Sequence, residues 1–190
     1  MIYNGNMAEI DEQLYARFLK YHDDEALKIL LERHRESLTL FILGIVHNLE
    51  DAEDIMMDSF AVLLSDSPRF KGKSSFKTWL FSIGRNLALK HLRKYGKVHS
   101  HEEEIPETKD HLPEAGLIKD EEKLLLYRAI DSLGPEYRQV ISLIYFYDMS
   151  IEEVATVMKK NKKQIYNLSS RGKKALKETL SNMGFKYGDL

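Results

Sequence analysis

Nine lysines and arginines fall between Arg69 and Lys97 with no aspartate or glutamate among them, in a chain whose formal net charge is −2. The same stretch holds the single tryptophan, Trp79, and three of the eight phenylalanines, Phe70, Phe76 and Phe81. Cations neutralise phosphates and aromatic faces stack on exposed bases, so this pairing predicts a groove for single-stranded or opened nucleic acid. Upstream stands the opposite charge: six acids and no base lie between Glu50 and Asp66. The acids of its first turn suit a helix dipole, but Asp58 lies beyond that turn, so an acidic face that docks a basic protein stays open beside the electrostatic explanation. Downstream, Lys163, Tyr166, Asn167, Ser170 and Lys174 share one face of a final helix, flanked by Gln164 and Arg171. These side chains supply the donors and acceptors that read base edges and hold phosphates. No Ser-His-Asp order and no glycine-rich phosphate loop is visible, which leaves no catalytic residue to name. His99 and His101 form an HxH pair without a second ligand cluster, so neither a metal nor another cofactor is expected.

These groups need elements to position them, and the periodicity is helical throughout. Ile10 to Tyr21 reads as a short amphipathic helix, broken at His22-Asp23-Asp24, with Asp24 as the cap of a second helix reaching Val46. After a turn at Asn48 to Glu50, Asp51 opens the acidic helix. The basic stretch begins as a loop, with turn chemistry at Ser67-Pro68 and Lys71-Gly72-Lys73, and becomes a helix from about Ser74. On that helix Phe76, Leu80, Ile83 and Leu87 share one apolar face, and Phe81, Ala88 and Leu92 a second. Thr78, Ser82, Arg85, Asn86 and Arg93 form a polar stripe predicted to be open to a ligand. A second helical group follows: Lys119 to Leu133, then Glu136 to Tyr147 after Gly134-Pro135, then a short helix from Ser150 whose capping box is completed by Glu153. A turn at Lys159 to Asn161 leads into the last long helix. A short helix, a tight turn and a basic helix make the helix-turn-helix pattern.

The chain of 190 residues is 43% apolar and 31% charged, enough for one or two packed cores. It contains no cysteine, which excludes a disulfide framework, a thiolate metal site and a cysteine nucleophile, and agrees with a reducing cytoplasm. No basic region followed by an apolar run opens the chain, and no stretch approaches the length of a membrane helix, so neither a signal peptide nor membrane insertion is expected. Residues 98 to 118 are acidic, contain two prolines and lack helical periodicity, which predicts a linker. The expected fold class is all-α, with two small helical domains, 1–97 and 119–190, joined by a flexible acidic linker, the second being a helix-turn-helix.

Four segments taken in order, DAEDIMMDSF, RFKGKSSFKTWLFSIGRNLALKHLRK, AIDSLGPEYRQVISL and MSIEEVATVMKKNKKQIYNLSSRGKKALKETL, resemble the extracytoplasmic-function class of bacterial sigma factors. The resemblance runs from about Tyr15 to Leu180. It implies a factor that binds core RNA polymerase and gives it promoter specificity. Asp51, Glu53 and Asp54, with Met57 and Asp58 beside them, fall on the motif that docks against the polymerase's largest subunit. Phe70, Lys71, Lys73, Ser75, Phe76 and Lys77 fall on the loop that captures a flipped base of the single-stranded −10 element. Arg85, Asn86 and Arg93 fall on the helix that meets the opened strand. Lys163, Gln164, Tyr166, Asn167, Ser170, Arg171 and Lys174 fall on the reader of the duplex −35 element. A monomer is expected when free, and an anti-sigma protein, which often holds members of this family, would suit an open two-domain shape.

The sequence also departs from the family. Met57 stands where glutamine is usual, Lys90 where aspartate is common, and Gly84 where alanine is usual, with the expectation of a looser helix. Lys159 replaces a turn glycine, and Tyr166, Leu168 and Gly172 replace the commoner lysine, arginine and alanine. Tyr166 lies on the reading face, so the −35 preference cannot be borrowed from a relative. Two other classes compete. A stand-alone helix-turn-helix regulator would need a dimer on palindromic half-sites. A helical adaptor would use its basic faces on acidic proteins.

Overall fold

The computed structural model describes residues 9–65, 70–95 and 121–185. The linker, the His99/His101 pair and the Ser67-Pro68 turn lie outside the described residues. Within them every regular element is an α-helix: α1 (Asp11–Tyr21), α2 (Asp24–Val46), α3 (Leu49–Leu64), α4 (Phe76–Tyr95), α5 (Glu121–Asp131), α6 (Pro135–Tyr145), α7 (Ile151–Met158) and α8 (Lys162–Asn182).

Each boundary has a local cause. Asp23, one residue before the expected cap, accepts hydrogen bonds from the Glu25 and Ala26 N–H groups, because its own extended backbone turns its carboxylate over the first turn of α2. Asn48 does the same for α3 through the Asp51 N–H, so that helix starts two residues earlier than expected. Ser75 rather than Ser74 caps α4: its Oγ accepts from the Thr78 N–H at 3.2 Å. Gly134 precedes Pro135 at the start of α6, and Ser150 and Glu153 close the expected capping box on α7. Asn161 and Gln164 form a second capping box on α8. His22, His47 and Lys159 end α1, α2 and α7 in the left-handed conformation.

Helices α1 to α4 wrap a core of Leu14, Tyr15, Leu30, Leu38, Ile42, Met56, Leu63, Phe76, Leu80 and Phe81. Helices α5 to α8 bury Val140, Ile141, Leu143, Val154, Val157 and Ile165. The two sets join in one continuous hydrophobic cluster, because α7 packs on α4 and α6 on α2. The two helical units therefore lie against one another. Gly84 has a use beyond flexibility: a Cβ there would stand 2.9 Å from the Leu38 Cδ1 and 3.2 Å from the Ile42 Cδ1, so its absence sets how closely α4 approaches α2.

Candidate nucleic-acid interface

Helix α4 is held by aromatic packing. Tyr15, Phe70, Phe76 and Trp79 form one cluster with ring centroids 5.3 to 6.2 Å apart. Phe76 is fully buried in it, whereas Phe70 and Trp79 are half-buried. The loop before α4 leaves Lys71 and Lys73 exposed. At the start of the helix the Phe76 N–H donates to the Glu12 Oε1 at 2.7 Å, which ties α1 to α4.

The polar stripe of α4 is not the open surface that its sequence predicts. Thr78 is fully buried and Arg85 is 8% exposed, because α6 and α7 cover them. The Ser75 and Thr78 hydroxyls each donate to the Glu153 Oε1 at 2.8 Å. Lys77 donates to the Tyr147 backbone carbonyl at 2.7 Å, and the Arg85 Nε donates to the Gln139 Oε1 at 2.7 Å. The Tyr147 ring fills the space between the units, 5.1 Å from the Phe81 ring and 6.0 Å from the Phe41 ring. Burial there pushes its phenol well above the usual range, with nearby Tyr127 adding to the shift. On the far side Arg138 donates to the Gly44 carbonyl at 3.2 Å and meets the His47 ring. Asn86 stays half-buried, and only Arg93, near the C-terminus of α4, is exposed.

The other two faces lie open. On α3, Ala52, Ile55, Met56, Ser59, Phe60 and Leu63 turn inward. Glu53, Asp54, Met57 and Asp58 face solvent, together with Leu64. Asp51 is half-buried, 3.2 Å from the His91 Nε2. This row sets carboxylates beside the exposed apolar side chains of Met57 and Leu64. On α8, Ile165, Ser169, Gly172 and Leu180 turn inward. Lys163, Gln164, Tyr166, Asn167, Ser170, Arg171 and Lys174 are all exposed, Tyr166 by 59%. Gly172 lets α8 lie close to α6, since a Cβ would stand 3.2 Å from the Ile141 Cγ1. Among the described residues no cluster of three or more histidine, aspartate or glutamate side chains could hold a metal ion, and no helix is long and apolar enough to cross a membrane.

Two surfaces escaped sequence reasoning. The contacts of Gln139 and Tyr147 with the first unit leave no mark in periodicity, because both read as ordinary members of the helix expected over Glu136 to Tyr147, which the structure ends at Tyr145. The sequence shows Glu153 as the partner in a capping box, but no local pattern points to the Ser75 and Thr78 hydroxyls that its other oxygen takes.

A basic, aromatic-lined helix beside a helix-turn-helix defines a helical nucleic-acid-binding protein. Known proteins narrow the class. Residues 30–98 match Sigma-70 region 2, and residues 123–176 match Sigma-70, region 4. The chain is 29% identical over 162 residues to the RNA polymerase sigma-H factor of Pseudomonas aeruginosa, an alignment covering 79% of this chain and 83% of that one. It is 25% identical over 162 residues to the ECF RNA polymerase sigma factor SigX of Bacillus subtilis, covering 82% and 84%. Among solved structures, the sigma factor RpoE of Bartonella quintana, in complex with the anti-sigma factor NepR, superimposes with a TM-score of 0.66 at 25% identity, covering 81% of this chain and 96% of that one. The chain belongs to the sigma-70 family, in its extracytoplasmic-function class. It is a sigma factor that directs promoter recognition and the initiation of transcription.

Proposed function

We propose that the work divides among three faces. The outer face of α3, with Glu53, Asp54, Met57 and Asp58 and with Asp51 at its edge, docks on core RNA polymerase. The loop and helix from Phe70 to Arg93 hold the opened −10 strand, through Lys71, Lys73, Ser75, Lys77, Arg85, Asn86 and Arg93, with Phe70 and Phe76 shaping the loop. The exposed row of α8 reads the duplex −35 element. Residues 1–97 form the docking and melting unit, 98–118 the linker, and 119–190 the duplex-reading unit. The polymerase supplies the chemistry, and the factor works where the polymerase does, in the cytoplasm.

The observation that carries this reading is the division of inward and outward side chains on α3 and α8. Each helix buries its apolar row and leaves the residues of the proposed contact in solvent. Bidentate base-edge contacts of the kind open to Gln164, Asn167 and Arg171 are worth about 1–3 kcal/mol of discrimination each. Lys163 and Lys174, at the margins, would weaken binding uniformly when removed and reduce its salt dependence. An anti-sigma protein is a further partner on this reading. A groove of about 480 Å³ between the two units, floored by Leu40, Leu43, Ile130 and Phe146, supports it.

The test is run-off transcription with purified core polymerase on promoter fragments that include the region upstream of this protein's own gene. Initiation that depends on the added factor is expected. Asp54→Arg, at an exposed position, is expected to fold normally and to abolish co-purification with core polymerase. Unchanged co-purification would remove the docking role of α3.

A further inference from the structure

We propose that α1 is a positioning element for −10 recognition: Glu12 and Tyr15 hold the two ends of the loop that captures the opened strand. The inference rests on the functional reading above and adds an element to it, because the match to Sigma-70 region 2 begins at residue 30 and α1 lies before it. The loop from Phe70 to Ser75 is pinned at both ends by α1. At one end the Phe70 ring stands edge-on to the Tyr15 ring, 6.2 Å away, and 5.3 Å from the Trp79 ring. At the other end the Phe76 N–H donates to the Glu12 Oε1 at 2.7 Å. Between the two pins Lys71, Gly72 and Lys73 are exposed, with Gly72 at a φ of 65° and open space where its Cβ would be. The crown of the loop is free and its ends are fixed.

The two pins have separate physical causes. The first N–H groups of a helix have no partner within it. Ser75 accepts from the Thr78 N–H, and Glu12 reaches across from α1 to accept from the Phe76 N–H. A carboxylate at that end also suits the dipole of α4. Glu12 lies in the first turn of α1, where an acid suits that helix too, but the dipole of α1 does not direct the carboxylate onto Phe76. Tyr15 is buried, with its ring 5.3 Å from Phe76 and 5.5 Å from Trp79, and its hydroxyl donates to the Leu63 carbonyl at 3.3 Å. Helix α1 is itself anchored on α2: Asp11 meets the His34 Nε2 at 2.6 Å, and the His34 ring lies 6.0 Å from Phe76.

Fixed ends place Lys71 and Lys73 relative to the aromatic cluster before any strand arrives. A loop already held in shape loses less freedom on binding than a slack one. Loosening either pin therefore weakens the capture of opened bases, while docking by α3 and duplex reading by α8 are left as they are.

The experiment uses the full chain with core polymerase, on a promoter found in the run-off test that carries 2-aminopurine in its −10 non-template strand. Opening rate and closed-complex affinity are measured in the parent, Glu12→Ala, Glu12→Gln, Tyr15→Leu and Leu27→Ala. Emission of Trp79, the single tryptophan, is measured in the same chains without polymerase. Leu27, half-buried on α2, controls for stability lost elsewhere in the same unit. Glu12→Ala and Tyr15→Leu are expected to open the promoter at least tenfold more slowly, with closed-complex affinity within twofold of the parent and Trp79 emission shifted to longer wavelength. Glu12→Gln keeps an oxygen acceptor for the Phe76 N–H and is expected to open within threefold of the parent. Should Tyr15→Leu fail to fold, the two Glu12 variants decide alone. A parental opening rate in Glu12→Ala overturns the proposal, as does an equal loss in Leu27→Ala, or a Glu12→Gln variant as slow as Glu12→Ala. A parent that does not initiate overturns the functional reading instead, and Trp79 emission in the Glu12 variants still decides whether α1 holds the cluster.

Discussion

Gly84 shows how one missing methyl group sets the spacing of two helices. In isolation a mid-helix glycine costs up to about 1 kcal/mol relative to alanine. Here the space its Cβ would need is held by Leu38 and Ile42, both fully buried. Overpacking of this kind costs about 1–3 kcal/mol, which outweighs the propensity gain. Gly84→Ala is therefore expected to lower stability by about 1 kcal/mol, read as a lower denaturant midpoint at unchanged slope. Two carboxyls make a second prediction at this scale. At Asp11 burial opposes ionisation, but hydrogen bonds and charge from His34 and Arg33 outweigh it and hold the carboxyl below its ordinary range. At Glu153 burial again opposes, and the Ser150 N–H with the Ser75, Thr78 and Ser150 hydroxyls outweighs it. Depressed folded-state values stabilise fully above the ordinary carboxylate pKa of about 4, and the gain is lost as pH falls through the lower folded values. Thermal midpoints are expected to hold from pH 7 to about pH 5 and to drop below about pH 4, with a shallower drop in Glu153→Gln.

The helices follow from caps and periodicity that short segments contain. The capping box on α7 and the Gly134-Pro135 entry to α6 are legible in the sequence because each involves residues no more than four apart, and the helix-turn-helix order is legible because its two helices follow one another across a turn of three residues. The choice of Asp23 over Asp24, or of Ser75 over Ser74, is not legible, since adjacent residues of the same type differ only in the backbone angles they adopt. Asn161 is the exposed cap of α8, the helix that carries the proposed −35 row, and its carboxamide oxygen accepts from the Gln164 N–H at 2.9 Å. Asn161→Ala is expected to cost about 1 kcal/mol. The loss should appear as faster amide exchange in the first turn of α8, and on the functional reading as weaker duplex binding with the same base preference.

At the scale of the whole molecule, one hydrophobic cluster runs through both units. Shared packing couples their unfolding, so a single cooperative transition is expected for the full chain. Tyr147→Ala removes the ring that sits between Phe41 and Phe81 and is expected to split that transition in two. Coincident melting curves from near-ultraviolet and far-ultraviolet circular dichroism in this variant would show that other contacts, such as Arg138 on Gly44 and His47, suffice to couple the units.

The all-helical class, the outward-facing rows on α3 and α8 and the identity of the family were legible in the sequence alone. Each depends on side chains that recur every three or four residues, or on motifs that carry their own spacing. The fate of the polar stripe on α4 was decided by the tertiary structure. Glu153 lies 78 residues from Ser75, and Gln139 lies 54 from Arg85. No local pattern specifies such pairs, because the same hydroxyls and the same guanidinium would satisfy a phosphate as readily as a carboxylate or an amide. Which partner they take depends on whether the second unit is packed against the first, and that is set by the fit of whole surfaces.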